Sequence, residues 1–220
     1  MHVIASELPH REMYNLLLSS VAPRPIAWVS TLSASGLPNL APFSFFNCVS
    51  ADPPLLAFAP GLRPVRSAAS EQHGAQHEAK DTLRNVRETK EFVVSVVTYQ
   101  LLERMNLTSG EYDPTVNEFD LAKLTPQPSR LVRPARVGES PVSFECRLHR
   151  ILDFSTAPNG SSLVIGEIVA VYLDDGHLKD GRIDRNSLDL IGRMGGIQYT
   201  RTTQRVELAR PEVAQKKVGG

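Results

Sequence analysis

The chain has 220 residues, of which 41% are hydrophobic and 22% charged, which is the composition of a globular protein with one large domain or two small ones. Lysine and arginine total 24 and so do aspartate and glutamate, so the formal net charge is zero, which argues against a protein that binds nucleic acid mainly through its charge. No basic segment leads into an apolar stretch at the N-terminus, and no apolar run approaches the length of a membrane span. Because Cys48 and Cys146 lie far apart and no export signal is visible, we expect reduced thiols and a cytoplasmic protein.

The first predicted element is a short helix over residues 10–19. Its apolar side chains Met13, Leu16 and Leu17 fall on one face at helical spacing. The prolines that follow should end it, because proline lacks a backbone N–H donor.

The next predicted element is a hairpin. Residues 25–32 alternate as a strand, Gly36 suits the following turn, and residues 39–46 form the return strand. A third strand over 55–59 follows a pair of prolines. Several short strands separated by turn signals favour a barrel or a sandwich.

Residues 60–79 show little apolar periodicity and predict a long loop. Asp81 or Thr82 is then expected to cap a helix that ends near Lys90. The predicted inward-facing side chains of this helix are Leu83, Val86 and Arg87. The following segment, "EFVVSVVT", predicts a buried strand.

The second half of the chain continues this pattern. Residues 101–120 have mixed helical character, and the proline-rich residues 121–140 predict a connecting loop. Residues 140–154 and 161–174 predict two long strands, joined by a hairpin turn at "STAPNG".

The simplest architecture is therefore a single mainly β domain with peripheral helices. We place it at residues 1–204 and expect a polar C-terminal tail at 205–220.

The usual catalytic patterns are missing. His73 and His77 would share a helix face and could hold a metal, but their segment is weakly structured, so a solvated loop without metal is favoured. No nucleophile elbow is present, and Cys48 is expected to be a buried structural thiol. Neither of the common nucleotide-binding patterns, G-x-x-x-x-G-K-[ST] and G-x-G-x-x-G, occurs in the sequence. None of these patterns therefore assigns a catalytic residue.

Three segments carry ambiguous signals for ligand binding. Lys80 and Thr82 at a helix start suit an anion, although on these residues alone a simple helix cap with a solvated lysine is favoured. The hairpin of residues 23–54 places polar groups beside aromatic rings, as a cofactor pocket or a decorated core strand pair would. Arg193 and Tyr199 flank paired glycines, which suits either a planar or anionic ligand or a plain glycine turn.

The order of five motifs nevertheless resembles one family. "PRPIAWVST", "NLAPFSFFN", "DPPLLAF", "KDTLRNVRETKEFVV" and "GRMGGIQYTR" follow one another as in the flavin reductase-like family of FMN-binding split-barrel proteins. That family includes the reductase components of two-component monooxygenases, such as the nitrilotriacetate monooxygenase reductase, and flavoredoxin. The resemblance extends over roughly residues 10–200.

The resemblance implies a mainly β fold built on a six-stranded antiparallel split β-barrel. It also implies a homodimer with FMN near the subunit interface, NADH or NADPH as co-substrate, and a monooxygenase as a partner. The leading hypothesis is an NAD(P)H-dependent flavin reductase. The alternatives are a tightly FMN-bound, flavoredoxin-like electron carrier and a flavin- or haem-binding module without catalysis.

Carried over by position, the resemblance implies three groups of flavin-binding residues. The "WVST" strand would run along the ring, the "SFFN" segment would cover the ring and the ribityl chain, and "KDT" would hold the phosphate. Arg193 would approach the flavin or the nicotinamide, and Arg24 would fix how the chain enters the barrel or reach the flavin phosphate. These residues are Arg24, Trp28, Val29, Ser30, Thr31, Ser44, Phe45, Phe46, Asn47, Lys80, Asp81, Thr82 and Arg193. The loop at 61–79 is longer than in the shorter versions of the pattern, so we expect a lid, a dimer contact or disorder there.

Overall fold

A computed structural model describes residues 2–64, 77–155 and 160–211 of the chain. Within these residues the α-helices are His10–Ser20 (α1), Asp81–Thr89 (α2), Leu102–Leu107 (α3) and Glu118–Leu121 (α4). The first strands are Ala27–Leu32 (β1), Pro38–Phe43 (β2), Phe46–Ala51 (β3), Pro54–Phe58 (β4), Leu62–Pro64 (β5), His77–Ala79 (β6) and Glu91–Ser95 (β7). The remaining strands are Pro126–Gln127 (β8), Arg136–Val137 (β9), Val142–Asp153 (β10), Ser162–Leu173 (β11), Leu178–Lys179 (β12), Arg182–Ile183 (β13), Ile191–Arg193 (β14) and Tyr199–Arg201 (β15).

Seven strands form one antiparallel sheet in the order β2-β1-β7-β10-β11-β4-β3. The chain passes from one edge strand, β2, to the other, β3, through Ser44 and Phe45 alone. Because the three residue steps from Phe43 to Phe46 span at most about 10 Å, the two edges lie close together and the sheet is rolled. The rings of Phe43 in β2 and Phe58 in β4 accordingly pack with centroids 5.2 Å apart. No backbone pairing joins β2 to β3 in the described part of the chain, as expected for a split barrel.

The predicted return strand over 39–46 is therefore divided in two. The chain bends at Ser44 and Phe45, and the backbone oxygen of Phe45 accepts a hydrogen bond from the N–H of Ala59, 2.8 Å away. This bend moves Phe46 to the opposite edge of the sheet, where it pairs with Phe58.

Both faces of β1 are buried, and the alternation predicted from the sequence is confirmed. Trp28 belongs to one hydrophobic cluster together with Met105 and Phe119. Val29 points the other way, into a second cluster with Phe92. The rolled sheet and the helices that cover it thus produce two cores, one on each side of the strand.

Helix α2 packs against the sheet through Leu83 and Val86, as predicted, and Lys90 ends it in the left-handed conformation, with a φ of 64°. The expected inward position of Arg87 is wrong: its side chain is exposed and pairs with Asp153 at 2.5 Å. The N-cap is Lys80, without a side-chain cap. The prediction that Asp81 or Thr82 caps the helix is therefore also wrong, since both residues lie within the helix.

Helix α1 forms where predicted, but its apolar face is not buried. The helix contains no buried residue, and Leu16 and Leu17 are 50% and 43% exposed. Arg24 holds its C-terminal end, donating to the backbone oxygens of Leu18 at 2.7 Å and Val21 at 2.6 Å.

The segment predicted as a long loop contains two short strands, since β5 and β6 pair with each other. His77 begins β6 and is not helical, while His73 lies outside the described residues. The turn at 156–159 and the tail from 212 onward also lie outside them. Across the described ranges, no group of three or more histidine, cysteine, aspartate or glutamate side chains could hold a metal. None of the helices described there is long and apolar enough to cross a membrane.

Candidate functional site

Two adjoining cavities lie beside the edge strand β2, and we call them together the β2 groove. The inner end, about 60 Å³, is lined by Asn39, Arg63, Lys80, Asp81, Thr82 and Glu118, among others. The outer end, about 220 Å³, is lined by Tyr14, Arg24, Ser44, Asn106, Arg193 and Tyr199, among others. Pro42, Phe43 and Ser109 line both ends, so the two cavities lie side by side.

The inner end lies at the N-terminus of α2. The first hydrogen bond within this helix runs from the N–H of Arg84 to the backbone oxygen of Lys80, so the N–H groups before Arg84 are not used by the helix. Such N–H groups and the positive end of the helix dipole favour an anion. Lys80 and Thr82 line the same cavity, so two residues predicted to bind phosphate are brought together here.

Asp81, also predicted to bind phosphate, forms ion pairs in the wall of the inner end. Its carboxylate accepts from Arg63 at 2.8 Å and also pairs with Arg84. Arg63 pairs in addition with Glu78 at 2.9 Å. Burial by itself would lower the pKa of Arg63, but the two carboxylates raise it above its usual value. The Asp81 carboxylate is thus engaged in ion pairs in the wall of the cavity, and its predicted contact with a phosphate stays a prediction, since a carboxylate repels that anion.

Glu118 is a buried carboxylate that sequence reasoning missed. It begins α4 and accepts a hydrogen bond from the backbone N–H of Leu40 in β2, 3.0 Å away. Burial raises the pKa of Glu118, and the nearby charge of Asp81 adds to the rise, while the hydrogen bonds from backbone N–H groups oppose it. No local pattern indicates this contact, because the two partners lie 78 residues apart in the chain.

A small polar network lies beneath the inner end. The side-chain amide of Asn39 donates to the hydroxyl oxygens of Thr31 at 3.2 Å and Thr82 at 2.9 Å. The amide of Asn85 donates to the same oxygen of Thr31 at 3.1 Å, and its own carbonyl oxygen is buried with no partner among the described residues. Sequence reasoning treated Asn39 only as the start of a strand, although it lines the inner end.

The outer end is held by two arginines. Arg24 and Arg193 exchange backbone hydrogen bonds, and the Arg24 guanidinium also donates to the backbone oxygen of Met194 at 2.9 Å. Burial, together with the charge of Arg193, lowers the pKa of Arg24 from its usual value. Arg24 therefore fixes how the chain enters the barrel, as one prediction had it. Its alternative role at the phosphate is not supported, since it lines only the outer end.

Arg193 presents its side chain to the groove. Its guanidinium lies over the ring of Tyr199, 4.5 Å from the centroid, and donates to the backbone oxygen of Gly196 at 2.7 Å. Gly196 has a φ of 57°, a conformation that glycine adopts without strain. Arg193 and Tyr199 thus lie together beside the glycine turn, where they form a cation next to an aromatic wall, and their contact with a ligand stays a prediction.

The "WVST" strand does not reach the groove. Trp28, Val29 and Ser30 are paired on both sides, with β2 and β7, and their side chains are buried. Trp28 donates through its indole nitrogen to the hydroxyl of Thr108 at 2.9 Å. Thr31 is buried under Asn39 and Asn85. Direct contact of these four residues with a ligand therefore stays a prediction that the geometry does not support.

The "SFFN" segment is only partly at the groove. Ser44 lines the outer end, while Phe45 is exposed beside the ring of Tyr14, with centroids 6.5 Å apart. Phe46 packs against the core, and the exposed Asn47 accepts from the N–H of Cys48. Their predicted flavin contacts stay predictions.

The two cysteines differ in environment. Cys48 lies on edge strand β3 and is exposed, so the expectation that it is buried is wrong. The bend at Ser44 and Phe45 explains this, because it carries the following residues to the outer edge of the sheet. Cys146 is fully buried, and that burial raises the pKa of its thiol.

The sequence profile of the family described as "Flavin reductase like domain" matches residues 18–188. Nitrilotriacetate monooxygenase component B from Bacillus cereus has a similar structure, with a TM-score of 0.84 and 30% identity over 94% of this chain and 98% of that one.

Two further structures are similar. The 2-nitrobenzoate 2-nitroreductase NbaA from Pseudomonas fluorescens has a TM-score of 0.82 and 34% identity over 100% of both chains. A split-barrel protein from Shewanella frigidimarina has a TM-score of 0.73 and 26% identity over 97% of this chain and 100% of that one. The rolled, unclosed sheet described above is the architecture that these proteins share.

Proposed function

The chain belongs to the flavin reductase-like domain family, and we propose that it is an NAD(P)H-dependent flavin reductase that acts on FMN. The observation that carries this proposal is the β2 groove, in which a helix N-terminus suited to an anion adjoins a wider, partly aromatic cavity. FMN has the matching parts, a phosphate at one end and a planar ring at the other.

Three features of the inner end suit a phosphate group, beside the carboxylates of Asp81 and Glu118 that also line it. Lys80 supplies a positive charge, Thr82 a hydroxyl, and the start of α2 supplies backbone N–H donors. The cavity at this end is small, about 60 Å³, and is therefore proposed to take the phosphate group and not the ring.

The outer end fits the planar part of the cofactor. Pro42 and Phe43 provide apolar surface, and Arg193 over Tyr199 provides a cation that favours an electron-rich ring. When bound, FMN supplies the redox chemistry, taking a hydride from NADH or NADPH and passing electrons to an acceptor. The chain itself binds and orients the two rings, and we assign it no acid or base.

We further propose a homodimer with the flavin near the subunit interface, and a monooxygenase as the partner that uses reduced flavin. The exposed apolar face of α1 and the exposed Phe45 border the outer end of the groove through Tyr14. A second subunit there would cover both the face and the cofactor. Both cysteines are free thiols, which is the state expected in the reducing cytoplasm where we propose that the protein acts.

The test is an anaerobic titration of the purified protein and FMN with NADH and then NADPH, following flavin absorbance. We expect bleaching of the flavin by at least one nicotinamide. Protein that binds no flavin at micromolar concentration would overturn the proposal. Flavin that stays bound through gel filtration yet is reduced by neither nicotinamide would instead identify an electron carrier.

A second candidate is the reduction of an aromatic nitro acid. The similarity to a 2-nitrobenzoate reductase covers the whole chain. Beside the β2 groove, an open cavity of about 550 Å³ combines exposed Ile197 and Leu107 with Arg193. An apolar wall with one cation suits an aromatic carboxylate. Oxidation of NADPH that depends on added 2-nitrobenzoate would support this reading, and equal rates with and without it would exclude it.

A further inference from the structure

Asn39 links strand β1, strand β2 and helix α2 at the inner end of the β2 groove. We infer that it is a positioning residue, which turns the hydroxyl proton of Thr82 toward the phosphate of the flavin. The inference rests on the proposed function, because it requires a phosphate at the inner end.

The contacts place Asn39 between two hydroxyl groups. On β2 it stands opposite Thr31 of β1, in register. Its amide nitrogen lies 3.2 Å from the hydroxyl oxygen of Thr31 and 2.9 Å from that of Thr82. Thr82 is only 1% exposed and belongs to the first turn of α2, yet it lines the inner end together with Asn39 and Lys80.

The chemistry of the amide sets the direction of these bonds. An amide NH₂ group donates two hydrogen bonds and accepts none, so both threonine oxygens act as acceptors toward Asn39. A hydroxyl oxygen that accepts still has its own proton to donate. No acceptor takes the Thr82 proton within the described ranges, so a ligand at the inner end is where that proton can go.

The second contact keeps the amide from turning. Thr31 receives one N–H of Asn39 and also an N–H of Asn85, which is itself buried in α2. Asn39 is thereby held by both a strand and a helix. An oriented hydroxyl binds an anion without first losing rotational freedom, which is the advantage of preorganisation.

The experiment compares FMN with riboflavin, which lacks the phosphate, by quenching of flavin fluorescence on the full chain. Thr82→Val removes the hydroxyl, and we expect FMN affinity to fall about tenfold, as for the loss of a hydrogen bond to a charged group. Asn39→Ala should lower FMN affinity about fivefold through the same hydroxyl. Riboflavin affinity should change less than twofold, roughly, in both variants, because neither residue is inferred to touch the ring.

A double-mutant cycle separates positioning from general damage. If Asn39 acts through Thr82, then Asn39→Ala in the Thr82→Val background lowers FMN affinity no further. In the Thr82→Ser background, which keeps the hydroxyl, the loss should persist. Asn186→Ala, which changes an asparagine outside the groove, is the matched control and should leave both affinities unchanged.

The outcomes are distinguishable. Equal losses for FMN and riboflavin, or full additivity in the double mutant, would overturn the inference while leaving the proposed function intact. A wild-type chain that binds neither flavin overturns both. Should Asn39→Ala fail to fold, Asn39→Ser is the second variant, since its hydroxyl is too short to reach Thr82 from β2, and the same cycle applies.

Discussion

Trp28 is fully buried in the core, and its indole N–H is satisfied by a single hydroxyl. Thr108 accepts this hydrogen bond at 2.9 Å and donates its own proton to the backbone oxygen of Met105 at 2.8 Å. The threonine is itself buried. Loss of the hydroxyl would therefore leave a buried donor and a buried acceptor without a hydrogen-bond partner at the same time.

We expect Thr108→Val to lower the free energy of unfolding by about 2 kcal/mol, because valine matches threonine in shape but offers no hydroxyl. Urea unfolding followed by tryptophan fluorescence measures this directly, since the chain has a single tryptophan. Thr108→Ser keeps the hydroxyl and should cost clearly less. Equal losses for valine and serine would assign the effect to packing instead.

Glu118 gives a pH dependence whose sign follows from its burial. Because the pKa of Glu118 in the folded state lies above the ordinary value of 4.5, the ionised form favours unfolding. Its unfavourable contribution is absent well below pH 4.5 and grows as the pH rises through the folded-state pKa.

Glu118→Gln should therefore be more stable than the wild type at neutral pH, since glutamine can still accept from Leu40 without carrying a charge. This advantage should shrink as the pH falls toward 4.5. Unfolding free energies measured across this range provide the check, with the exposed Glu88→Gln as control. An advantage that grows toward low pH would contradict the assignment.

At the scale of elements, the contact between β7 and β11 depends on one missing side chain. A Cβ atom on Gly166 of β11 would lie 2.2 Å from the ring carbon Cζ of Phe92 in β7. Phe92 is fully buried, with its ring edge-on to that of Phe58 at 5.4 Å, so it has no free space to move into. The glycine thus allows the two strands to share one core.

Gly166→Ala should lower the free energy of unfolding by about 2 kcal/mol, the usual cost of overpacking a core. The measurement is chemical unfolding. In a Phe92→Leu background the same change should cost less, because leucine has no atom at the ring position. Gly61→Ala is the control, since its Cβ would approach no atom of the described residues closer than 3.9 Å. Similar losses at both glycines would point to backbone entropy and not to the ring.

At the scale of the whole molecule, contacts within a single chain do not account for the apolar face of α1. It is an amphipathic helix without a buried residue, and its exposed side chains include Tyr14, Leu16 and Leu17. A short helix gains most of its stability from packing its apolar face. An exposed apolar face beside a groove is typical of an interface between proteins.

Leu17→Glu should weaken a homodimer at least about tenfold, because it places a charge in the apolar interface that we propose. Sedimentation at several protein concentrations measures this change. Asn15→Glu, on the opposite side of the same helix, should leave the dimer intact. A wild-type chain that sediments as a monomer at all concentrations would contradict the proposed dimer.

The local patterns of the sequence were sufficient for most elements. Helical spacing located α1 and α2, period-two alternation located β1, and the ordered motifs identified the family. At the site, they indicated Lys80 and Thr82 at a helix start and Arg193 beside Tyr199. Each of these signals lies within a few residues of the chain, which is the range over which backbone periodicity acts.

The tertiary structure alone decided the remaining features. Asn39 meets Thr82 across 43 residues of sequence, and Glu118 meets the backbone of Leu40 across 78. The bend at Ser44 sends the next strand to the far edge of the sheet, which leaves Cys48 exposed. Such contacts depend on how the sheet rolls and which helix covers its edge. The rolling of the sheet and the helix that covers its edge both depend on packing between elements that are distant in the chain. A local pattern of residues therefore cannot predict them.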